Sequence, residues 1–243
     1  MTGLRGSLLA DGNLGVQPAR RDLVQNPGDP ELIDAVEAHI AQHVAPVDRV
    51  FHEIVSPDLH IDVHHVRPNH DRRFRTLVTS GMSERPMSTG EEAAEFRFAE
   101  LAILLEPNWT MEHSKFGDEN VYWPVRLLKT VARFPFECGT WVGMGHSIAA
   151  ANPPEPMAPA TELSSAILLP PLSLGEGFSR MPRGDGAMTY FWTILPLYTE
   201  ELALKLEKGT DALMDALDVA GVDDIVRQTR PRAGARRRFL GLF

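Results

Sequence analysis

The sequence predicts an α+β fold: a mixed, mainly antiparallel sheet packed with helices. Three observations carry that reading. Apolar residues recur at strand spacing in several short runs between residues 59 and 195. Helical stripes bracket these runs, and the two element types do not alternate as regular βαβ units. No linker interrupts residues 140–190, so one domain accounts for most of the 243 residues.

Residues 1–28 are rich in Gly, Arg, Gln and Asn without an apolar period, which predicts a flexible N-terminal arm. Order begins at Asp29, an N-cap followed by Pro30 at the first helical position. Ile33, Val36, Ile40 and Val44 then share a helix face, and Pro46 closes the segment. Next, Leu59, Ile61, Val63 and His65 alternate with His60, Asp62, His64 and Val66, as a strand requires. Residues 74–79 form a second strand candidate, ended by Ser80 and Gly81. Phe96, Phe98 and residues 101–105 suggest a third, stopped at Glu106 and Pro107.

A helix is expected from about residue 120 to 134. Val121, Val125, Leu128 and Ala132 fall on one stripe, and Pro124 is tolerable only in the first turn. Residues 139–149, 163–169 and 187–195 read as strands. Thr199 is placed to cap a helix with Glu200 and Glu201 in its first turn and Lys205 and Lys208 in its last, matching the helix dipole. Gly209 ends it, Thr210 is placed to cap another, and Gly221 ends that one. The domain therefore spans residues 29–230. Residues 231–243 form a basic C-terminal tail with little reason to fold.

Composition narrows the function classes. Hydrophobic residues at 43% and charged residues at 23% exclude wholesale disorder. The net charge of −9 is unevenly placed: residues 227–243 hold six arginines and no acid, leaving −15 on the rest. An acidic body disfavours nucleic acid and steers a basic partner, although acidity also serves plain solubility. Cys138 is the single cysteine, so an intrachain disulfide is excluded and a reducing compartment fits. The first residues turn polar at Asp11, too soon for a signal peptide, and no run approaches the roughly 18 apolar residues of a membrane span. The expectation is a cytoplasmic protein without membrane contact.

His60, Asp62 and His64 would project from one strand face with His70 and Asp71 close behind, and imidazole with carboxylate suits zinc. A polar, solvated strand face explains them as well, and the spacing matches no standard zinc pattern. His39 and His43 have the i, i+4 spacing of zinc proteases, but Ile40 stands where the general base belongs, leaving an exposed helix face. Cys138 and His146 are a conceivable thiol–imidazole pair. A small buried Cys at a strand edge is the simpler expectation. Gly143 and Gly145 lack the dinucleotide fingerprint and fit tight backbone packing. Glu91, Glu92, Glu95 and Glu100 show no catalytic spacing and read as solvated charges. Arg236, Arg237 and Arg238 before Phe239 fit a tail that binds nucleic acid or membrane only weakly. No catalytic, cofactor or metal residue is assigned.

Word-like segments add a further reading. Thr76 to Ser83 with Arg85-Pro86-Met87, then Phe98 to Leu105 with Trp109, resemble the Suppressor of fused domain family. So do Ala132-Arg133-Phe134-Pro135 and the run from Gly139 to His146. Pro196 to Leu202 and Gly209 to Leu213 resemble its closing helices, so the succession covers about residues 45–230 in the family's order. The resemblance implies a fold like the family's N-terminal domain and a function in binding other proteins. Animal members clasp an extended peptide as an added strand between two domains, and this chain is too short for the second. Stand-alone bacterial members imply an immunity protein that neutralises a toxin domain, and the acidic body suits a basic toxin. No peptide-contact residues carry over. Two alternatives stay open: an enzyme or metal protein using His146 with Cys138 or the His60, Asp62 and His64 face, and a structural assembly component.

Overall fold

Helices cover both faces of one mixed sheet in the computed structural model, which describes residues 28–53 and 59–234. The predicted arm, apart from Gly28, and the tail beyond Gly234 lie outside the described residues. The chain runs through α1 (Pro30–His43), β1 (Arg49–Phe51), β2 (Asp62–Val66), β3 (Arg75–Ser80) and β4 (Ala99–Leu105). It continues through α2 (Glu119–Cys138), β5 (Ser147–Ala149), β6 (Ser165–Leu169), β7 (Arg180–Pro182) and β8 (Met188–Leu197). Then come α3 (Thr199–Lys208), α4 (Thr210–Val219) and β9 (Ile225–Val226).

Strand order is β1-β2-β3-β4-β8-β6-β5, with β7 beside β8 and β9 beside β4. The first four strands are an antiparallel meander. The sheet turns parallel where β4 meets β8, with Leu101 opposite Trp192, and again where β9 meets β4. β6 pairs antiparallel with both β8 and β5.

Three apolar clusters fix the layers. On one face Val63, Leu77, Leu101, Ile103 and Leu105 pack with Trp123, Leu128 and Val131 of α2. On the other, α1 lays Val36 and Ile40 against Val78, Leu104 and Phe191. Farther along that face, Leu213 and Leu217 of α4 pack on Ile167, Leu169 and Leu195. β4 is buried on both sides, and so Leu101 to Leu105 reads as a continuous apolar run instead of an alternating one.

Several sequence expectations need correction. Pro124 is the sixth residue of α2, beyond the first turn. Its missing N–H would orphan the Asn120 carbonyl, which accepts instead from Gln228 Nε2 at 3.0 Å. Phe96 ends a 3-10 helix (Glu91–Phe96) and β4 begins only at Ala99. Of the strand expected over residues 139–149, Ser147–Ala149 alone forms. Neither threonine caps its helix: Tyr198 and Gly209 occupy the cap positions, and Glu201 Oε2 accepts from Tyr198 N at 2.9 Å.

The start of the basic tail is anchored. Arg230 is buried and donates to both carboxylate oxygens of Glu201, at 2.7 and 2.6 Å. Arg232 pairs with Glu200 and Glu162. Acidic partners 29 to 70 positions upstream give these arginines a reason to fold that composition alone conceals.

Candidate functional site

β5 forms one end of the sheet, and its outer edge is open among the described residues. His146 O accepts from Leu168 N, and Ala150 N donates to Ser164 O, each at 2.9 Å. Antiparallel pairs alternate between bonded and non-bonded, so Ile148 bonds inward to Ala166 while the backbone groups of Ser147 and Ala149 point outward. Natural sheets usually guard such an edge with charge. Here no Lys, Arg, Asp or Glu occurs from Gly139 through Pro154. Ser147, Ile148 and Ala149 are half-buried, and Met144 is 62% exposed beside them.

The loop before β5 is tightly built. A side chain on Gly143 would meet the Trp141 ring at 2.7 Å, and Gly145 adopts φ +77 against Thr210 of α4. Trp141 also packs on His146, with centroids 4.4 Å apart. Burial lowers the His146 pKa from its ordinary value, and nearby Lys205 lowers it further. Lys205 of α3 donates to Ser147 Oγ at 3.0 Å. Cys138, expected to be buried at a strand edge, is instead exposed at the last position of α2. His146 faces Trp141, and the two residues form no paired constellation.

The histidine face departs from the solvated strand that alternation suggests. His60, Asp62 and His64 are all buried, on the face where α1 packs against Val66 and Val78 and where Glu37 of α1 comes within 4.0 Å of His64. Asp62 accepts from His60 Nε2 at 2.9 Å and from His52 Nδ1 at 2.8 Å. His64 bonds Ser80 Oγ at 2.9 Å, and burial pushes its pKa down to about 4. His65, on the opposite face, is lowered to about 4 by burial and by Arg75. His70 and Asp71 form an exposed pair. His39 is buried, not exposed: its Nε2 bonds the Phe178 carbonyl and its ring stacks on Phe191.

Glu100 is the residue most misjudged by sequence. It is fully buried at the start of β4, and Oε1 accepts from Gly81 N at 3.0 Å, Ser83 N at 2.9 Å and Ser83 Oγ at 2.7 Å. Thr79 Oγ1 donates to Oε2 at 2.6 Å and accepts from Leu101 N at 2.8 Å. Burial outweighs these donors and raises its pKa to about 7. The carboxyl closes the turn after β3, where φ +104 at Gly81 and a His60 carbonyl only 1.9 Å from a would-be side chain admit glycine alone. This is a structural clasp. Glu91 and Glu92 are exposed, and Glu95 accepts from the Tyr190 hydroxyl at 3.0 Å.

Residues 57–231 match the sequence model of the Suppressor of fused protein family. The chain belongs to the Suppressor of fused family. A Suppressor of fused homologue from Neisseria gonorrhoeae FA 1090 superposes with a TM-score of 0.62 at 17% identity, covering 83% of this chain and 96% of that one. A chain of the Sufu–Fu complex gives 0.59 at 17%, over 83% and 91%. The Drosophila Suppressor of Fused gives 0.56 at 17%, over 84% of this chain and 53% of its own length. No curated protein matches in sequence. The solved relatives share the mixed sheet packed with helices, as the sequence predicts. Among the described residues, no helix is long and apolar enough to cross a membrane.

Proposed function

We propose that this Suppressor of fused domain is a non-catalytic binding module that takes an extended segment of another protein as an added strand on β5. The single observation behind it is the uncharged, open edge: outward backbone groups at Ser147 and Ala149 with no charged residue from Gly139 to Pro154. Strand addition supplies affinity through main-chain bonds and specificity through alternate side chains. That a relative crystallised as the Sufu–Fu complex is in keeping with a protein partner.

The partner's chemistry follows from the flank. Glu207, Asp211, Asp215 and Asp218 are exposed on α3 and α4, against exposed Lys208 and half-buried Lys205, whose ammonium is taken up by Ser147 Oγ. Thr210, next to Asp211, approaches Gly145 at the start of the edge. A basic partner is favoured, and a basic toxin domain neutralised in the cytoplasm fits both this charge and the immunity role that the family's stand-alone bacterial members suggest.

Affinity purification of the full chain beside Ala149→Pro tests the reading. Proline removes one outward N–H and leaves the bonds to β6 intact. One basic protein should be retained by the wild type, lost with the variant and released by salt, and it should be toxic when expressed alone. Equal retention by both proteins, or an acidic partner insensitive to salt, would sink the proposal.

A further inference from the structure

We propose that His52, His60 and Asp62 bind one divalent transition-metal ion of the zinc class. The three residues offer donor atoms that all lie within 4.8 Å of one another. His52 follows β1 directly, and the register that sets Phe51 opposite Val63 brings His52 level with Asp62. His60 precedes β2 and turns back onto the same carboxylate. One carboxylate thus sits between two imidazoles, with N···O separations of 2.8 and 2.9 Å.

Those separations are close to what coordination needs. Zinc binds N and O ligands at about 2.0–2.1 Å, so neighbouring tetrahedral donors stand roughly 3.3 Å apart. The two imidazoles now bond different oxygens of Asp62, with all donor atoms inside 4.8 Å, so an ion replacing the shared protons would lengthen each N···O separation by about half an ångström and draw the two nitrogens together onto it. Two imidazoles and one carboxylate favour zinc, cobalt or nickel over magnesium or calcium, which prefer all-oxygen shells.

The surroundings hold the donors in place. Glu53 N donates to Asp62 Oδ1 at 3.0 Å, while the Glu53 carboxylate accepts from Ile61 N at 3.2 Å and pairs with Arg133. Lys129 Nζ lies 3.9 Å from the same Glu53 carboxylate, so the nearby cations already have a counter-charge. Such outer contacts orient ligands and tune affinity. Asp62 and His60 are buried, whereas the His52 side chain is 68% exposed. A fourth position therefore opens to solvent, available to water. His64 is committed to Ser80 and lies outside the set.

The test is zinc titration of the isolated full chain by calorimetry, with cobalt as a spectroscopic probe. The wild type should bind one equivalent of zinc, and bound cobalt should show the intense visible bands of four-coordination. His52→Ala, at an exposed ring, should fold normally yet weaken binding about tenfold or more. Asp62→Asn should do likewise, and His70→Ala should change nothing. Absence of stoichiometric binding, or wild-type affinity in His52→Ala, would overturn the assignment. No partner protein is present, so the outcome is independent of strand addition at β5.

Discussion

At one end of the sheet β1 carries Arg49 and is flanked by Asp48, which accepts from Arg67 at 2.8 Å and lies 3.3 Å from His65. Arg49 also reaches the Met111 carbonyl at 3.4 Å, so the loop after β4 borders that edge. At the other end β5 offers a bare backbone with no formal charge in the surrounding sixteen residues, Gly139 to Pro154. Both are short strands at the rim of the same sheet, but β5 and its flanks carry no charge of their own, Lys205 of α3 reaching only the Ser147 hydroxyl. Charge on an edge is a device against unwanted pairing. Its absence from β5 and its flanks is what singles out that edge, open among the described residues, for the proposed strand addition, provided the strand is held rigidly from behind.

The comparison can be broken most forcibly at that support. Arg230 and Glu201 are both buried, and together they tie the C-terminal segment to α3 and to the Pro196 carbonyl of β8. Arg230→Ala should cost about 3–5 kcal/mol, since it strands a buried carboxylate. Urea denaturation measures this, and a loss below about 1 kcal/mol would show that the segment is peripheral.

Next in size is Glu100→Ala, which leaves two buried backbone N–H groups unpaired at about 1–3 kcal/mol each. Glu100→Gln should stay within about 1 kcal/mol of wild type, because Thr79 Oγ1 can accept from the amide. Glu100 also fixes a pH signature. Its folded pKa of about 7 lies above the ordinary 4.5, so the folded state holds the proton more tightly. The stability this provides is complete below pH 4.5 and is lost as pH rises through 7. Melting curves across that window should show wild type declining relative to Glu100→Gln; parallel curves would mean the carboxyl titrates normally.

Smaller effects sharpen the contrast between the edges. Asp48→Asn removes the charge that organises the defended rim and should cost under about 1 kcal/mol, because the site is partly solvated. Ala149→Lys should change stability least, within about 0.5 kcal/mol, as a half-exposed surface position. It nevertheless transplants the guard onto the bare edge, and partner binding should fall in a pull-down while the melting temperature holds. Unchanged binding would mean that β5 is not the contact.

Legibility in the sequence followed the range of the interactions. Asp29 capping α1 and Gly139 ending α2 at φ +60 are local devices, and local chemistry announces them. The period-2 run through β2 was visible too, but not the burial of its polar side. Polar residues with partners elsewhere in the chain look identical to solvated ones. His52 carries no local signal, because the Asp62 carboxylate it bonds lies ten residues on and strand pairing brings the two level. Glu100 passed for a surface charge because its donors come from the turn after a neighbouring strand.

By itself the sequence determined the class of fold, most helices and strands, the acidic body and the resemblance to Suppressor of fused proteins. These depend on periodicity, caps and composition, all of which act over a few residues. Tertiary structure alone decided the parallel join of β4 to β8, the second helical layer over the histidine face, and the anchoring of Arg230 and Arg232. It also decided which rim of the sheet stands undefended. Each of those depends on which distant segments meet, and one-dimensional spacing carries no record of that.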